Sequence, residues 1–232
     1  MISLSKEWAL TSRAMYGQEF IDELAIFLKK YNVKTVLECG CGDGNILNGL
    51  AKKGFTCLGI DSDKEMIDLA LKNPVASFKQ MNWLDIDKLD ECFDAVICRG
   101  NSLAGVVSWG KKHLDADVAL QKIEESVKLF YSKLNKNGLL YLDTCSGKDV
   151  GDVELKTKNI DLKGKVEYDF DKMERSVFGH GKVLGEDFND GSVSYILTVD
   201  ELERILKKYF SKVFRVELVN EKNYLVVCAL KG

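Results

Sequence analysis

The sequence of 232 residues contains little proline, little histidine and no long apolar run. Because no apolar segment approaches the roughly 18 residues of a transmembrane helix, the sequence predicts no membrane span. The first six residues also lack the apolar core of a signal peptide. We therefore expect a cytoplasmic protein without a membrane partner.

Histidine is too scarce to support a metal centre. Only His113 and His180 are present. A zinc site needs more ligands at suitable spacing, and the isolated pair of Cys39 and Cys41 does not supply them. We therefore expect no metal. The seven cysteines lie mostly in apolar strand patterns, as Cys57 does, which indicates small buried side chains in a reducing cytosol.

Neither sign of charge dominates the composition. Lysine and arginine number 33 and the acids 36, so the net charge is −3 at pH 7. This balance does not attract phosphates, and we expect no nucleic-acid partner. The chain length and the ordinary apolar fraction of 46% fit a single α/β domain over residues 1–232.

The most informative stretch is a glycine-rich turn after the first predicted strand. Residues 36–44 read Val-Leu-Glu-Cys-Gly-Cys-Gly-Asp-Gly, which places glycine at positions 40, 42 and 44. Glycine allows a ligand to approach the backbone closely because it has no Cβ. The second predicted strand ends in Asp61, and an acid there can bind two ribose hydroxyls. Together these features predict a pocket for an adenosine-containing cofactor.

The glycine spacing bears on which cofactor this is. A dinucleotide fingerprint has the spacing G-x-G-x-x-G, with an acid about 20 residues further on. Asp61 suits that distance, but the spacing here is G-x-G-x-G. Glu38, two residues before the first glycine, would repel a pyrophosphate but not a cationic methionine group. The pattern favours S-adenosylmethionine, with a dinucleotide and a turn that serves only packing as alternatives.

The acid-x-Gly-x-Gly-x-Gly pattern resembles motif I of the class I S-adenosylmethionine-dependent methyltransferases. Residues 80–85, Gln-Met-Asn-Trp-Leu-Asp, and residues 99–102, Arg-Gly-Asn-Ser, extend the resemblance. An Asn-Trp pair after strand three and a Gly-Asn-Ser run after strand four look like the glycine and glycine/sarcosine N-methyltransferases. The similarity covers about residues 6–144. It implies a Rossmann-like, seven-stranded, mostly parallel sheet and methyl transfer to a small-molecule acceptor, an amine nitrogen.

The resemblance also implies roles for residues at the ends of the strands. Asp61 is expected to bind the ribose, and Asn82 and Trp83 are expected to flank the adenine. The helix containing Trp8 and Arg13 is expected to close over the methionine end. The expected catalytic residues are Asn101 and Arg99, and the expected cofactor-binding residues are Trp8, Arg13, Glu38, Gly40, Cys41, Gly42, Asp61, Ser62, Met66, Asn82, Trp83, Leu84 and Arg99.

Several of these residues have ordinary structural interpretations. The Glu38 carboxylate can accept N–H groups of the loop instead of binding a ligand. Met66 and Trp83 can be core side chains, and Arg99 can form a surface salt bridge. Transfer of a methyl group needs alignment more than a nucleophilic side chain, and alignment can supply roughly 7–11 kcal/mol. The lack of a Ser-His-Asp or Cys-His pair is therefore expected.

Apolar spacing predicts alternating strands and helices up to residue 143, hence a parallel sheet with helices on both faces. Asn73-Pro74 and Asn137-Gly138 are expected to end two of the helices. Predicted helices cover residues 17–31, 45–53, 62–73, 117–134 and 198–209, and predicted strands cover 35–38, 56–60, 76–81, 95–98, 139–143, 212–219 and 224–230.

Residues 145–197 break this rhythm. Strand-like alternation at 161–170, 175–184 and 192–197 predicts an antiparallel insertion that forms a lid over the active site. The resembling family carries an arginine after the acid of strand five to hold the carboxylate of its substrate. Residues 143–146 read Asp-Thr-Cys-Ser, which argues against glycine as the acceptor and makes Arg175 a candidate replacement.

Three functions stay open on the sequence. The first is a small-molecule methyltransferase. The second is a methyltransferase that acts on a protein or RNA, although no Asn/Asp-Pro-Pro-Tyr tetrapeptide is present, which argues against methylation of base amino groups. The third is a dehydrogenase or a non-catalytic protein that binds an adenosine cofactor. We expect a monomer or a homodimer.

Overall fold

The computed structural model describes residues 2–109, 111, 113, 115–145 and 150–232. Its helices are α1 (Leu4–Met15), α2 (Gln18–Lys30), α3 (Asn45–Lys52), α4 (Lys64–Ala70), α5 (Ala116–Ser132) and α6 (Val199–Leu206). Its strands are β1 (Thr35–Cys39), β2 (Thr56–Asp61), β3 (Ser77–Gln80), β4 (Phe93–Cys98), β5 (Leu134–Cys145), β6 (Gly151–Lys156), β7 (Ile160–Asp169), β8 (Glu174–Val183), β9 (Glu186–Tyr195), β10 (Lys212–Val216) and β11 (Tyr224–Leu230).

Seven strands form one sheet in the order β10-β11-β5-β4-β1-β2-β3. The neighbours from β3 to β5 pair in parallel, whereas β11 runs antiparallel to both β5 and β10. This arrangement confirms the predicted fold class, a mostly parallel seven-stranded sheet completed by a carboxyl-terminal hairpin. Because β1 lies at the centre of the five parallel strands, between β4 and β2, the turn that follows it opens at the middle of their carboxyl edge.

The two faces of the sheet carry two separate apolar cores. Successive side chains of a strand point to opposite faces. Accordingly, Val36 of β1 joins a cluster with residues of α2 and α3, and its neighbour Leu37 joins a cluster with residues of α5 and α6. Both side chains are fully buried. A strand that is covered on both faces explains the continuous apolar run that precedes the glycine-rich turn.

A second, antiparallel sheet has the strand order β6-β7-β8-β9, and we call it the insertion sheet. Its apolar side chains Ile160, Leu162, Val183 and Phe188 cluster with Ile2, which precedes α1, and Leu4 and Leu10 of α1 pack against them. The chain leaves the large sheet after β5 and returns before α6, and the Thr144 hydroxyl donates to the Leu197 carbonyl where the two segments meet.

The insertion sheet corrects the predicted strands. β7 and β8 lie within one residue of the predicted 161–170 and 175–184, but β9 spans 186–195 and not 192–197, and β6 was not predicted. The first half of β9, Glu-Asp-Phe-Asn-Asp, is almost wholly polar, so alternation of apolar residues does not reveal it. Hydrogen bonds to β8 along the whole strand hold it in the sheet.

Asn137-Gly138 does not end α5, as we had predicted. The helix ends at Ser132, where the Lys133 ammonium donates to the Asp87 and Leu89 carbonyls, and β5 begins directly afterwards. Asn137 has a φ of 61°, and the pairing of β4 with β5 shifts register at this point. Asn137-Gly138 therefore marks an irregularity within β5. A residue that tolerates a positive φ suits such an irregularity as well as it suits the end of a helix.

Other elements end earlier than predicted, and in two of them side chains accept hydrogen bonds from the backbone that follows. α4 ends at Ala70 and not at Asn73, and the Asn48 side chain accepts the next free N–H groups, those of Val75 and Ala76. β10 ends before residue 219 because the Glu23 carboxylate accepts the N–H groups there. α6 also stops three residues earlier than predicted. In the described part of the chain, no helix has the length and apolar character needed to cross a membrane.

Candidate active site

A large cavity of about 710 Å³ lies at the carboxyl edge of the parallel sheet. The turn after β1 and the end of β2 form its floor, α1 covers one side, and the insertion sheet covers another. A second cavity of about 40 Å³ adjoins it and shares Trp8, Gly40, Gly42 and Met66 as walls. We call the two the large cavity and the small cavity.

The three glycines of the turn have φ values of 74°, 54° and 72°, in the left-handed region that favours glycine. They differ in their surroundings. A Cβ at Gly44 would collide with the Phe78 ring, so glycine there serves the packing of α3. At Gly42 the nearest atom to a Cβ would be the Met66 sulfur at 4.0 Å, so this face of the turn is open toward the cavities.

Asp61 connects the end of β2 to the glycine turn. Its Oδ2 accepts the Gly42 N–H at 2.9 Å, and its Oδ1 accepts the Asp63 N–H at 2.9 Å. Burial raises the pKa of the carboxyl above its usual value, and these backbone donors oppose that rise. The carboxylate lines the large cavity beside Ser62, in the position expected for a group that binds ribose hydroxyls.

Glu38 is the buried acid that precedes the turn. Its side chain lines the small cavity, and its Oε2 has no hydrogen-bond partner among the residues that the structure describes. Burial raises the pKa of this carboxyl to about 8; the Arg99 guanidinium opposes the rise, whereas Asp43 and Asp61 add to it. The alternative in which Glu38 accepts loop N–H groups does not account for its unpartnered oxygen.

Arg99 differs in setting from both of its expected roles. It is 6% exposed, so it forms no surface salt bridge, and it lines the small cavity but not the large one. Its guanidinium lies over the rings of Tyr16 and Phe20, 4.0 and 4.7 Å from their centroids. The ion pair it forms is with Glu221, at 3.4 Å. Arg99 therefore lies in the wall of the small cavity, and its contact with the acceptor stays a prediction.

Glu221 is a site residue that the sequence did not reveal. It lies in the turn between β10 and β11, and its side chain is only 1% exposed. Besides the contact with Arg99, its Oε1 accepts the Tyr16 hydroxyl at 3.1 Å and two N–H groups of its own turn, those of Asn223 and Tyr224. In the sequence, Asn-Glu-Lys-Asn at residues 220–223 is typical of an ordinary polar hairpin turn. Only the folded chain brings this turn close to Arg99 at the end of β4.

Asn101 lies in the wall of the large cavity, as predicted, with a φ of 59°. Its N–H and that of Gly100 donate to the two oxygens of Asp143, each at 2.8 Å. Burial raises the pKa of Asp143 to about 6, which Arg99 and these donors oppose. The Asn101 side-chain amide donates to Ser194 of β9 at 3.3 Å, so the insertion sheet helps to orient it.

Asn82 and Trp83 follow β3 and also line the large cavity. The Trp83 indole N–H donates to the Ser126 hydroxyl at 3.0 Å, which anchors the ring to α5 while one edge faces the glycine turn. Asn82 caps the following 3₁₀ turn by accepting the Leu84 N–H at 2.9 Å. Leu84, predicted to contact the cofactor, lies outside the walls of both cavities.

α1 contributes Trp8 to both cavities, but Arg13 faces elsewhere. The Arg13 guanidinium pairs with Asp43 and lines a separate groove on the outer side of the helix. Our prediction that it meets the methionine end is not supported by this position. The predicted residues that the structure does gather around the two cavities are Trp8, Glu38, Gly40, Cys41, Gly42, Asp61, Ser62, Met66, Asn82, Trp83, Arg99 and Asn101.

Comparison with known proteins gives a consistent result. Residues 36–127 match the sequence pattern of a methyltransferase domain. The chain is 30% identical over 129 residues to the glycine N-methyltransferase of Mus musculus, and this covers 50% of the chain and 42% of that protein. A ubiquinone biosynthesis O-methyltransferase of Coxiella burnetii is 32% identical over 119 residues, which covers 49% of each protein. The chain therefore spans about half the length of the curated relatives it matches, or less.

Solved structures resemble the whole fold. The amino pentose methyltransferase CalS10 of Micromonospora echinaspora, solved with S-adenosylmethionine bound, matches with a TM-score of 0.77 and 15% identity over 100% of this chain and 98% of that one. At this identity the match concerns the fold alone. Taken with the matching domain pattern and the curated relatives, it supports a class I S-adenosylmethionine-dependent methyltransferase.

Proposed function

We propose that this chain transfers a methyl group from S-adenosylmethionine to an amine nitrogen of a small molecule. The observation that carries the proposal is the pair of adjoining cavities, which differ in size and chemistry. The small one is lined by the buried ionisable side chains of Glu38 and Arg99, and the large one continues from Asp61 to the insertion sheet. A cofactor with a charged amino-acid end and a nucleoside end fits this division.

The residues present fit the cofactor at three points. The open face of Gly42 leaves room for a ligand against the backbone. The Asp61 carboxylate is placed to accept ribose hydroxyls. The unpartnered Glu38 oxygen in the small cavity suits a cationic amino group, since a buried carboxylate is stabilised by an opposite charge. When bound, the cofactor supplies a methyl group attached to a cationic sulfur.

The chain's own residues would orient the two reactants. Glu221 holds the Arg99 guanidinium in place, and Trp8 covers the junction between the cavities. Asn101 is fixed by Asp143 from behind and by Ser194 from above, so its amide oxygen is placed to accept an N–H of an amine. Holding an acceptor in line in this way is the main contribution that a methyltransferase needs from its protein.

An amine acceptor is supported by the names of similar proteins and by Asn101. The mouse relative is a glycine N-methyltransferase, and CalS10 is an amino pentose methyltransferase. Within the proposed single domain over residues 1–232, the insertion at 145–197 acts as the lid, because β9 forms part of the wall above Asn101. A lid that excludes water keeps the acceptor in one pose.

The test combines binding with turnover. Calorimetry should show that S-adenosylhomocysteine binds and that NAD does not. Labelled S-adenosylmethionine is then incubated with amines, amino acids and phenols, and transfer to an amine is expected. Binding of NAD in preference to S-adenosylhomocysteine would overturn the cofactor, and transfer to phenols alone would overturn the acceptor atom. Transfer to protein or RNA alone would overturn the small-molecule acceptor.

A further inference from the structure

The inner face of the insertion sheet contains an unusual pair of neighbouring glycines. Gly164 of β7 lies directly opposite Gly179 of β8, which in turn lies opposite Asp190 of β9. All three positions line the large cavity. Since glycine has no side chain, the middle of this wall is bare backbone, flanked by the apolar side chains of Val153, Val166, Val177 and Phe188.

Most glycines of this sheet are required by their own surroundings. A Cβ at Gly181 would collide with the Asp161 carbonyl, and one at Gly191 with the Val177 carbonyl. At Gly164 a Cβ would lie 2.7 Å from the Phe178 carbonyl oxygen, closer than real Cβ atoms come. The protein backbone therefore excludes side chains at these positions, and their glycines need no ligand to explain them.

Gly179 is different, because nothing in the described structure requires glycine there. Its φ lies outside the left-handed region, and a Cβ would meet only the Phe188 ring at 3.4 Å and the Lys163 carbonyl oxygen at 3.9 Å, both ordinary contacts. Glycine inside a strand weakens the strand and often marks a place where a ligand approaches closely. We therefore attribute the absence of a side chain at Gly179 to a ligand that occupies the cavity and approaches the backbone there.

We propose that Gly179 determines acceptor size: the bare backbone of Gly164 and Gly179 receives a ring carried by the amine acceptor. Peptide planes without side chains form a flat surface, and the surrounding valines and Phe188 provide an apolar border. Along β9, Ser192 and Ser194 continue this face toward Asn101, to which Ser194 is hydrogen-bonded. The ring would lie under the sheet while the nitrogen reaches Asn101. This inference rests on the proposed methyltransferase function.

The test compares cyclohexylamine and benzylamine with ethylamine. With S-adenosylhomocysteine bound, NMR titration should show that the ring amines bind at least tenfold more tightly than ethylamine. Gly179→Val should remove that preference by lowering the affinity for ring amines more than that for ethylamine, because its methyl groups occupy the ring's place. The matched control is His180→Val, which adds the same side chain to the next residue of β8 on the exposed outer face.

Gly179→Ala serves if the valine variant does not fold, because its Cβ meets only ordinary contacts; it should reduce the ring preference at least threefold. Equal affinities of the wild type for ring amines and ethylamine would overturn the proposal, as would equal losses of both ligands in the Gly179 variants. Failure to bind S-adenosylhomocysteine would instead overturn the proposed function. A ring preference without methyl transfer would refute the reaction, and with it the acceptor role of this wall, and would leave only a site that binds ring amines.

Discussion

At the scale of single residues, the Asp61 carboxylate both fixes the shape of the glycine turn and faces the large cavity. Asp61 holds the Gly42 and Asp63 N–H groups and also lines the large cavity. It is therefore already oriented before any ligand arrives. A ribose that binds there forms hydrogen bonds with a side chain whose conformation is already fixed. Binding then costs no side-chain entropy at Asp61, which makes these hydrogen bonds more favourable.

Asp61→Asn should weaken S-adenosylhomocysteine binding about a hundredfold, because hydrogen bonds to a charged group contribute about 1.5–3 kcal/mol. The amide keeps one acceptor for the turn, so the melting temperature should fall only slightly. Calorimetry measures the affinity, and Asp68→Asn, an exposed acid of α4, is the control. Wild-type affinity in Asp61→Asn would contradict the pocket assignment.

Glu38 should make stability depend on pH between about 6 and 8. Its folded-state pKa is about 8, against 4.5 for an ordinary glutamic acid. In this range the folded chain retains a proton that the unfolded chain has lost, so the free energy of unfolding falls as pH rises, by up to about 1.4 kcal/mol per unit. Asp143, with a pKa of about 6, has the same sign of effect at lower pH.

Glu38→Gln should remove this slope, since glutamine does not titrate. Urea unfolding at pH 6, 7 and 8 should therefore show the variant gaining stability relative to the wild type as pH rises. The Asp85→Asn variant, at an exposed acid paired with Lys88, is the control and should follow the wild type. Parallel pH curves for Glu38→Gln and the wild type would contradict the raised pKa.

Ligand binding should release a proton from Glu38 at pH 7. A cationic amino group beside the carboxylate lowers its pKa, so a group that is mostly protonated in the free protein becomes ionised. Calorimetry of S-adenosylhomocysteine binding in two buffers with different ionisation enthalpies measures this release. Glu38→Gln should bind without it, and a wild type that binds without proton exchange would rule out the contact.

At the scale of elements, Asp63 makes one of the polar contacts that hold α1 over the cavities, besides the ion pairs Arg13–Asp43 and Lys6–Glu65. Asp63 caps α4 by accepting the Glu65 and Met66 N–H groups through Oδ1. Its Oδ2 accepts the Ser5 hydroxyl of α1 at 2.6 Å and the Trp109 indole N–H at 3.1 Å. One carboxylate therefore joins the helix after β2 to the helix that covers the site.

Asp63→Ala should destabilise the fold by about 1–2 kcal/mol through loss of the helix cap and should also loosen α1. Hydrogen exchange within residues 4–15 should accelerate more than exchange in α5. Ser5→Ala separates the effects, since it removes only the contact with α1 and should leave the capping contribution intact. Unchanged exchange in α1 of both variants would show that the Asp63 contact does not hold the helix.

The elements of the parallel sheet could be predicted because each one carries its own signal. The strand β4 contains a continuous apolar run, Ala-Val-Ile-Cys at residues 95–98, and the helix α2 buries a regular apolar stripe. The β6 and β9 strands could not be found in this way, because pairing with their neighbours compensates for polar residues. Likewise Asp61 and Asn101 follow strands and could be predicted, whereas Glu221 lies 122 residues from Arg99, and only tertiary folding joins them.

At the scale of the whole molecule, the site is shared by three parts of the chain that are distant in sequence. α1 supplies one wall, the strand ends supply the floor, and the insertion sheet supplies the roof. The motif between residues 36 and 102 accounts for the floor. The insertion sheet, on which the proposed acceptor would lie, belongs to residues 150–197, where the sequence resembles the known family least.

Binding of S-adenosylhomocysteine should protect α1 and the glycine turn from hydrogen exchange and leave β10, at the far edge of the sheet, unchanged. The reason is that only the walls of the cavities gain contacts. Mass spectrometry with and without the ligand measures this, and Asp61→Asn at the same ligand concentration is the control. Protection spread evenly over the sheet would indicate a general tightening rather than occupation of the site.

The contact between Thr144 and Leu197 has a consequence for how such an enzyme can change. It closes the base of an excursion of more than fifty residues, so that the chain departs and rejoins the frame at one spot. A segment whose two ends lie together can be replaced by one of different length without disturbing β1 and β2, the strands at whose ends the nucleoside is proposed to bind. Under the proposed function, the acceptor can thus change through replacement of this segment while the residues around the glycine turn stay the same.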